Sequence, residues 1–134
     1  MKTIAIDFDG VIHKYSKGWQ DGSIYDKPFD GVFEAIEKLM KTHTVFIFST
    51  RSPRQIKKWI DKHIWEEKEH WCLPELAWYP KYRFEAQIIP FWTKFWNKPD
   101  TLGITSRKFP AEVYIDDRAL KFEGNWEKTL KQVI

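Results

Sequence analysis

One stretch near the start constrains the fold more than any other: in Thr3-Ile4-Ala5-Ile6-Asp7-Phe8-Asp9-Gly10-Val11-Ile12 an apolar run stops in two carboxylates and a glycine. Residues 3 to 7 are too short and too apolar on both faces for an amphipathic helix, and they have the length and β-branched content of a buried strand. Two acids, one residue apart, then stand at the strand's C-terminal end. In an open α/β sheet that edge is where ligands bind, because loops from several strands converge there on one crevice.

The rest of the chain is bounded by its size and charge. At 134 residues it fits one domain, 1–134, that can bury roughly two-thirds of the surface its unfolded form exposes. A formal net charge of +3 is compatible with anionic ligands and does not demand nucleic acid. The lone cysteine, Cys72, can form no internal disulfide, and no histidine and cysteine cluster has zinc spacing. A reducing, cytoplasmic setting is therefore expected. No run approaches the ~20 apolar residues of a membrane span, and the opening run is too short for a signal segment. Six of the eight tryptophans (Trp59, Trp65, Trp71, Trp78, Trp92 and Trp96) fall between residues 59 and 96, so that part cannot all be solvated loop.

Taken in order, Ile12 to Asp26 has turn residues Gly18 and Asp21-Gly22 between aromatic and β-branched positions, which predicts a small hairpin or flap over the Asp7/Asp9 edge. His13 on that flap is expected to be exposed. Val32, Phe33, Ile36, Leu39 and Met40 recur with a period near 3.6 and predict a helix after Pro28 and Asp30. Thr44 to Ser49 reads as a second buried strand running into Ser49-Thr50-Arg51. Ser52-Pro53 is an N-cap followed by proline, opening a helix with Ile56, Trp59, Ile60 and Ile64 inward and reaching about His70. Prolines at 74, 80, 90 and 99 then interrupt the pattern, and either Leu76 to Tyr79 or Gln87 to Trp92 could supply a third strand. From Tyr79 to Pro110 six basic residues face two acidic ones, a local balance of +4. Glu112 to Ile115 is a strand delivered into a second acid pair, Asp116-Asp117. A last helix starts at Asn125.

If these strands are parallel neighbours, Asp7/Asp9, Ser49/Thr50 and Asp116/Asp117 converge. Several carboxylates in one crevice repel, and a hard, all-oxygen donor set of that charge points to bound Mg²⁺, which needs only one or two protein carboxylates and leaves positions for water and phosphate.

Asp-Phe-Asp-Gly-Val at 7 to 11, Ser-Thr-Arg at 49 to 51, Lys108, and Ile-Asp-Asp-Arg-Ala at 115 to 119 resemble, in order, the four motifs of the haloacid dehalogenase superfamily. The resemblance implies a three-layer, Rossmann-like α/β fold with a mostly parallel central sheet, a short flap after strand one and no large cap domain. It also implies roles. Asp7 would be the nucleophile, forming an aspartyl-phosphate. Asp9 would protonate the leaving alcohol and then activate water. Ser49, or else Thr50, would hydrogen-bond the phosphoryl oxygens, and Arg51 would clamp phosphate. Lys108, with Lys98 as its rival, would hold nucleophile and phosphate together. Mg²⁺ would be bound by Asp7, Asp116 and the backbone carbonyl of Asp9, with Asp117 acting through water or on its neighbours.

An acid at position 9 favours phosphomonoester hydrolysis over haloalkanoate chemistry. Three functions follow: a Mg²⁺-dependent phosphatase of phosphorylated small molecules or nucleotides, an end phosphatase of nucleotides or nucleic acid, and a non-catalytic phosphate and Mg²⁺ binding module. The second draws on the local +4 balance, on interleaved aromatics and on a likeness of Ser49-Thr50-Arg51 to the Ser-Gly-Arg of polynucleotide kinase phosphatase domains. An open site on a small domain also makes a dimer plausible, although no residue of the sequence points to one.

Overall fold

Strand β1 (Lys2–Ile6) lies inside a sheet of five parallel strands, between β2 (His43–Phe48) and the edge strand β5 (Val113–Ile115); β4 (Thr101–Thr105) and β3 (Glu85–Ile88) continue the sheet beyond β2. The computed structural model describes residues 2–66 and 82–134. Parallel neighbours cannot be joined by tight turns and need crossovers. Helix α1 (Val32–Met40) makes the first crossover, and α2 (Pro53–Glu66) begins the second. A third helix, α3 (Trp126–Val133), follows β5.

Strand alternation divides the core into two clusters. Ile4 and Ile6 of β1, Val45 and Ile47 of β2, and Leu102 and Ile104 of β4 face one side, where Phe33, Ile36 and Met40 of α1 and Ile56, Trp59 and Ile60 of α2 pack on them. The predicted inward positions of both helices are the ones buried, with Val32, Leu39 and Ile64 at the margin. Ala5 and Phe46 face the other side, and two non-helical segments cover them. One carries Ile89 and Trp96 between β3 and β4; the other carries Phe109 between β4 and β5. Trp96 is tied down at the starts of three strands. Its carbonyl accepts from the Thr3 and Thr44 hydroxyls at 3.0 and 3.2 Å, and its indole N–H donates to the Thr101 carbonyl at 3.3 Å.

The sheet is thus a small α/β architecture of the coarse kind read from the sequence, with differences in detail. Strand β4 was not anticipated, and it is buried at every position. The third strand lies at 85–88, overlapping the Gln87 to Trp92 candidate at two residues; Leu76 to Tyr79 falls outside the described residues, as does the expected extension of α2 to His70. No hairpin forms over 12–26. The ladder there reduces to isolated bridges at His13, and the ends of the excursion are joined where Lys14 N–H meets the Lys27 carbonyl at 3.0 Å and Phe29 N–H meets the Ile12 carbonyl at 2.9 Å. Helix α1 is preceded by Gly31 in the left-handed conformation, with no side-chain cap. Helix α3 does begin after Asn125, whose side chain accepts from Lys128 N–H. None of the described helices is long and apolar enough to cross a membrane.

Candidate functional site

Register brings the two acid pairs to one edge. Ile6 pairs with both Ile47 and Ile115, so β1 and β5 end level and are followed by Asp7 and Asp116, while β2 runs one residue further, to Phe48. Asp7 N–H donates to the Ile115 carbonyl at 2.9 Å, which continues the ladder by one bond and fixes the start of both acidic loops. Asp7, Asp116 and Asp117 each place a carboxylate oxygen within 4.8 Å of the others. Asp7 is half-buried and the other two are exposed.

The loop after β1 is wound tightly around one carbonyl. Phe8 is fully buried, and its carbonyl accepts from the N–H groups of Val11, Ile12 and His13, while Gly10 N–H donates to the His13 carbonyl at 2.8 Å. Gly10 has φ of +83° and sits against Asp117: a Cβ there would meet the Asp117 carboxyl carbon at 2.7 Å. Glycine is required by backbone conformation and by close approach together. This contact brings the second acidic loop over the first.

The electrostatics at Asp7 follow from this crowding. Burial, reinforced by repulsion from Asp116, Asp117 and Asp9, pushes its carboxyl up to about 6, against the opposing effect of a 2.8 Å hydrogen bond from Phe8 N–H. A divalent cation among these oxygens would reverse the repulsion. Oxygen-only donors suit a hard ion such as Mg²⁺.

Asp9 points into a different set of partners. Its carboxylate accepts from Arg51 Nε at 3.0 and 2.8 Å and from His13 Nδ1 at 2.8 Å. His13 is completely buried, contrary to its expected exposure. Its Nε2 accepts from Asp26 N–H at 3.0 Å. A nitrogen that accepts cannot carry the proton, so these partners assign it to Nδ1, which donates to Asp9. Phe8, Tyr25 and Trp59 pack around the imidazole. Nothing in the local sequence marks His13 beyond its four-residue distance from Asp9.

Arg51 is buried and engaged by Asp9 and by the Gly22 carbonyl at 2.8 Å, with its guanidinium 5.8 Å from the Tyr15 ring and 5.6 Å from that of Trp19. It ties the 14–27 excursion to the sheet edge. Ser49 is buried one residue past β2, its N–H on the Thr105 carbonyl and its Oγ accepting from Arg51 N–H at 3.2 Å. Thr50 is exposed.

Lys108 is exposed three residues past β4, with its ammonium 5.2 Å over the Tyr114 ring; it forms no ion pair with Asp7, Asp116 or Asp117. Lys98 precedes β4 and therefore stands at the opposite end of that strand, where it donates to the Gln87 side chain at 2.8 Å. The structure thus joins Asp7 with Asp116 and Asp117, joins Asp9 with Arg51 and His13, and leaves Lys108 at the same edge but apart.

The chain matches no protein-family model, no curated protein and no solved structure.

Proposed function

We propose that this chain is a Mg²⁺-dependent phosphomonoester hydrolase of the haloacid dehalogenase type. The observation that carries the reading is the meeting of Asp7, Asp116 and Asp117 within 4.8 Å at the ends of two neighbouring parallel strands. With it goes a finer fold reading: a Rossmann-like core, with residues 14–27 as a flap above the crevice and no large cap domain. Asp7, Asp116 and Asp117 would hold Mg²⁺, with the Asp9 carbonyl as a further ligand. A bound ion would supply charge neutralisation at the phosphoryl oxygens.

The protein's own groups then divide the work. An Asp7 oxygen attacks phosphorus; that O–P bond forms as the bond to the leaving alcohol breaks, and Asp9 delivers a proton to the departing oxygen. Water next attacks the same phosphorus and passes a proton to Asp9, and the Asp7–phosphorus bond breaks to release phosphate. Arg51 Nε and His13 Nδ1 hold the Asp9 carboxyl group in place for both transfers. The Ser49 hydroxyl and Lys108, once its long side chain leaves Tyr114, would stabilise the phosphoryl oxygens.

The test is release of inorganic phosphate from an aryl phosphate with Mg²⁺ and with chelator. Chelator-sensitive turnover that Asp7→Asn abolishes supports the proposal, and turnover that survives Asp7→Asn would falsify the assigned nucleophile. Mg²⁺ binding without turnover on a broad ester panel would favour a binding module instead.

One observation favours a nucleotide or nucleic-acid end as the ester. Phe91 and Trp92 are largely exposed, with rings 5.1 Å apart. Arg107, just past β4, holds their loop by donating to the Pro90 and Thr93 carbonyls. The two rings follow β3, at the same end of the sheet as the acids, and exposed rings beside a cation would offer bases a stacking surface. Affinity for a 5′- or 3′-phosphorylated oligonucleotide should then fall steeply with salt; weak, salt-independent binding removes this reading.

A further inference from the structure

Arg51 is committed to the protein's own groups. Its Nε holds the Asp9 carboxylate, a terminal nitrogen donates to the Gly22 carbonyl, and its guanidinium lies over the Trp19 ring, 5.6 Å from the centre. Trp19 itself is exposed at 66%, yet the backbone that carries it is fixed. The Gly18 carbonyl accepts from the Tyr25 hydroxyl at 2.8 Å, and the Gln20 side chain donates to the Lys17 and Trp19 carbonyls at 2.9 and 3.2 Å. Gln55 joins Arg51 on the Gly22 carbonyl at 3.1 Å. The edge of the indole lies against Gly22, where a Cβ would stand 3.4 Å from it. Arg51 covers one face of the ring, and an exposure of that size leaves the other face open.

We infer that the open face of Trp19 is the platform for the leaving group, so that the preferred ester is one whose alcohol carries a planar ring, as a nucleoside does. The inference rests on the phosphatase reading, because Asp9 protonates the departing oxygen and so fixes where the alcohol must sit. Distance ties the two residues together. Arg51 Nε is 2.8 Å from an Asp9 oxygen, and one C–N bond of ~1.3 Å separates that nitrogen from the guanidinium carbon, so the centre of the Trp19 ring is at most about 10 Å from the oxygen. The base of a nucleoside reaches that far from its esterified oxygen; a three-carbon alcohol does not.

Preorganisation is the second argument. A ring already held by Arg51 and Gly22 costs little further ordering when a ligand stacks on it, and indole offers a wide, rigid face that any base can use. Arg51 is thereby a positioning residue for both halves of the site, the proton donor and the platform. An indole that served only to shield the Arg51 and Asp9 pair from water would act on every ester alike, and this difference makes the inference testable.

Steady-state kinetics on adenosine 5′-monophosphate and on glycerol phosphate, each with Mg²⁺, are compared for the wild type, Trp19→Leu and Trp19→Phe. The wild type is expected to favour the nucleotide by about tenfold or more in kcat/KM; Trp19→Leu should lose about tenfold on the nucleotide and no more than about twofold on glycerol phosphate, and Trp19→Phe should keep most of the preference. Leucine keeps an apolar cover over Arg51, so equal losses on both esters overturn the inference, as does a wild type with no preference. A 5′-phosphorylated tetranucleotide identifies the source of the ring: faster turnover than the mononucleotide supports the inference for a strand end, and slower turnover supports it for a free nucleotide. Equilibrium dialysis of the same two esters with Mg²⁺ needs no turnover and separates this inference from the phosphatase reading. If neither ester is hydrolysed the assigned chemistry fails, whereas nucleotide affinity that Trp19→Leu lowers by about fivefold or more, with glycerol phosphate affinity retained, upholds the platform. Equal nucleotide affinity in Trp19→Leu and the wild type removes it.

Discussion

Asp9 is held by two side chains, and one of them is a histidine whose tautomer is set by a backbone N–H on its far nitrogen. His13 therefore acts on Asp9 and not on substrate, which makes it a positioning residue. His13→Ala removes that donor and takes the acceptor from the part-buried Asp26 N–H, at a cost of about 1–2 kcal/mol in urea unfolding. It should also lower kcat/KM for a phosphate ester about tenfold through loss of Asp9 orientation. His13→Asn keeps a donor near the Nδ1 position and should recover part of the rate but little of the stability. Nitrogen chemical shifts of the ring should report the Nδ1–H tautomer in the wild type; an Nε2–H ring would contradict the assignment.

Asp7 supplies a pH dependence whose sign can be worked out. Its carboxyl is raised from an ordinary 3.8 to about 6, so the fold prefers the protonated form. That contribution to stability is complete below about 3.8, fades as pH rises through 6, and leaves an ionised, crowded carboxylate above it. In chelator, Asp7→Asn should therefore stabilise the protein at pH 7.5 by on the order of 1 kcal/mol, the full linkage value being reduced because the side chain is partly solvated. At pH 4 the gain should vanish. Thermal melts of both proteins across pH 4 to 8 measure this, and a gain that does not depend on pH would remove burial of the charge as its cause.

Among the elements, those with a regular apolar period were readable, and those defined by what packs on them were not. Phe33, Ile36 and Met40 announce α1, and Ile56, Trp59 and Ile60 announce α2, because helical spacing is local information. Strand β4 shows why the rest was hidden. Thr101-Leu102-Gly103-Ile104-Thr105 carries a mid-strand glycine and polar residues at both ends, which reads as a weak strand. In the fold, the Gly103 position is where the Trp96 ring and Ile89 approach; a Cβ would meet both at 2.8 Å. Gly103→Ala should cost about 1–3 kcal/mol by overpacking, and Trp96→Ala about 3–5 kcal/mol by opening a cavity. Denaturant unfolding distinguishes these costs from the few tenths expected if β4 were a surface strand. The missing hairpin has a similar cause. Gly18 and Gly22 do mark turns, but Arg51 and Gln55 hold the excursion by its Gly22 carbonyl in place of a cross-strand ladder.

At the scale of the whole molecule, Mg²⁺ and the fold should be linked. An ion that binds the three converged carboxylates only when β1 and β5 are paired stabilises the native state by about 2.7 kcal/mol at one hundred times its dissociation constant. Mg²⁺ is thus expected to raise the melting temperature of the wild type at pH 7.5 by several degrees and to leave Asp116→Asn nearly unaffected; equal shifts in both would dissociate the cluster from the ion.

The acids at 7, 9, 116 and 117, the hydroxyls at 49 and 50 and the apolar runs before them are local facts, so strands β1, β2 and β5, the inward faces of α1 and α2 and the chemical character of the edge were present in the sequence. Strand order was not: that β5 lies beside β1, and so brings Asp116 and Asp117 to Asp7, depends on pairing over a hundred residues of chain. Tertiary packing likewise buried His13 against Asp9, drew Arg51 into the same network and put Lys98 and Lys108 at opposite ends of β4. Each of these outcomes joins groups distant in the chain through burial or register, which no local period or motif encodes.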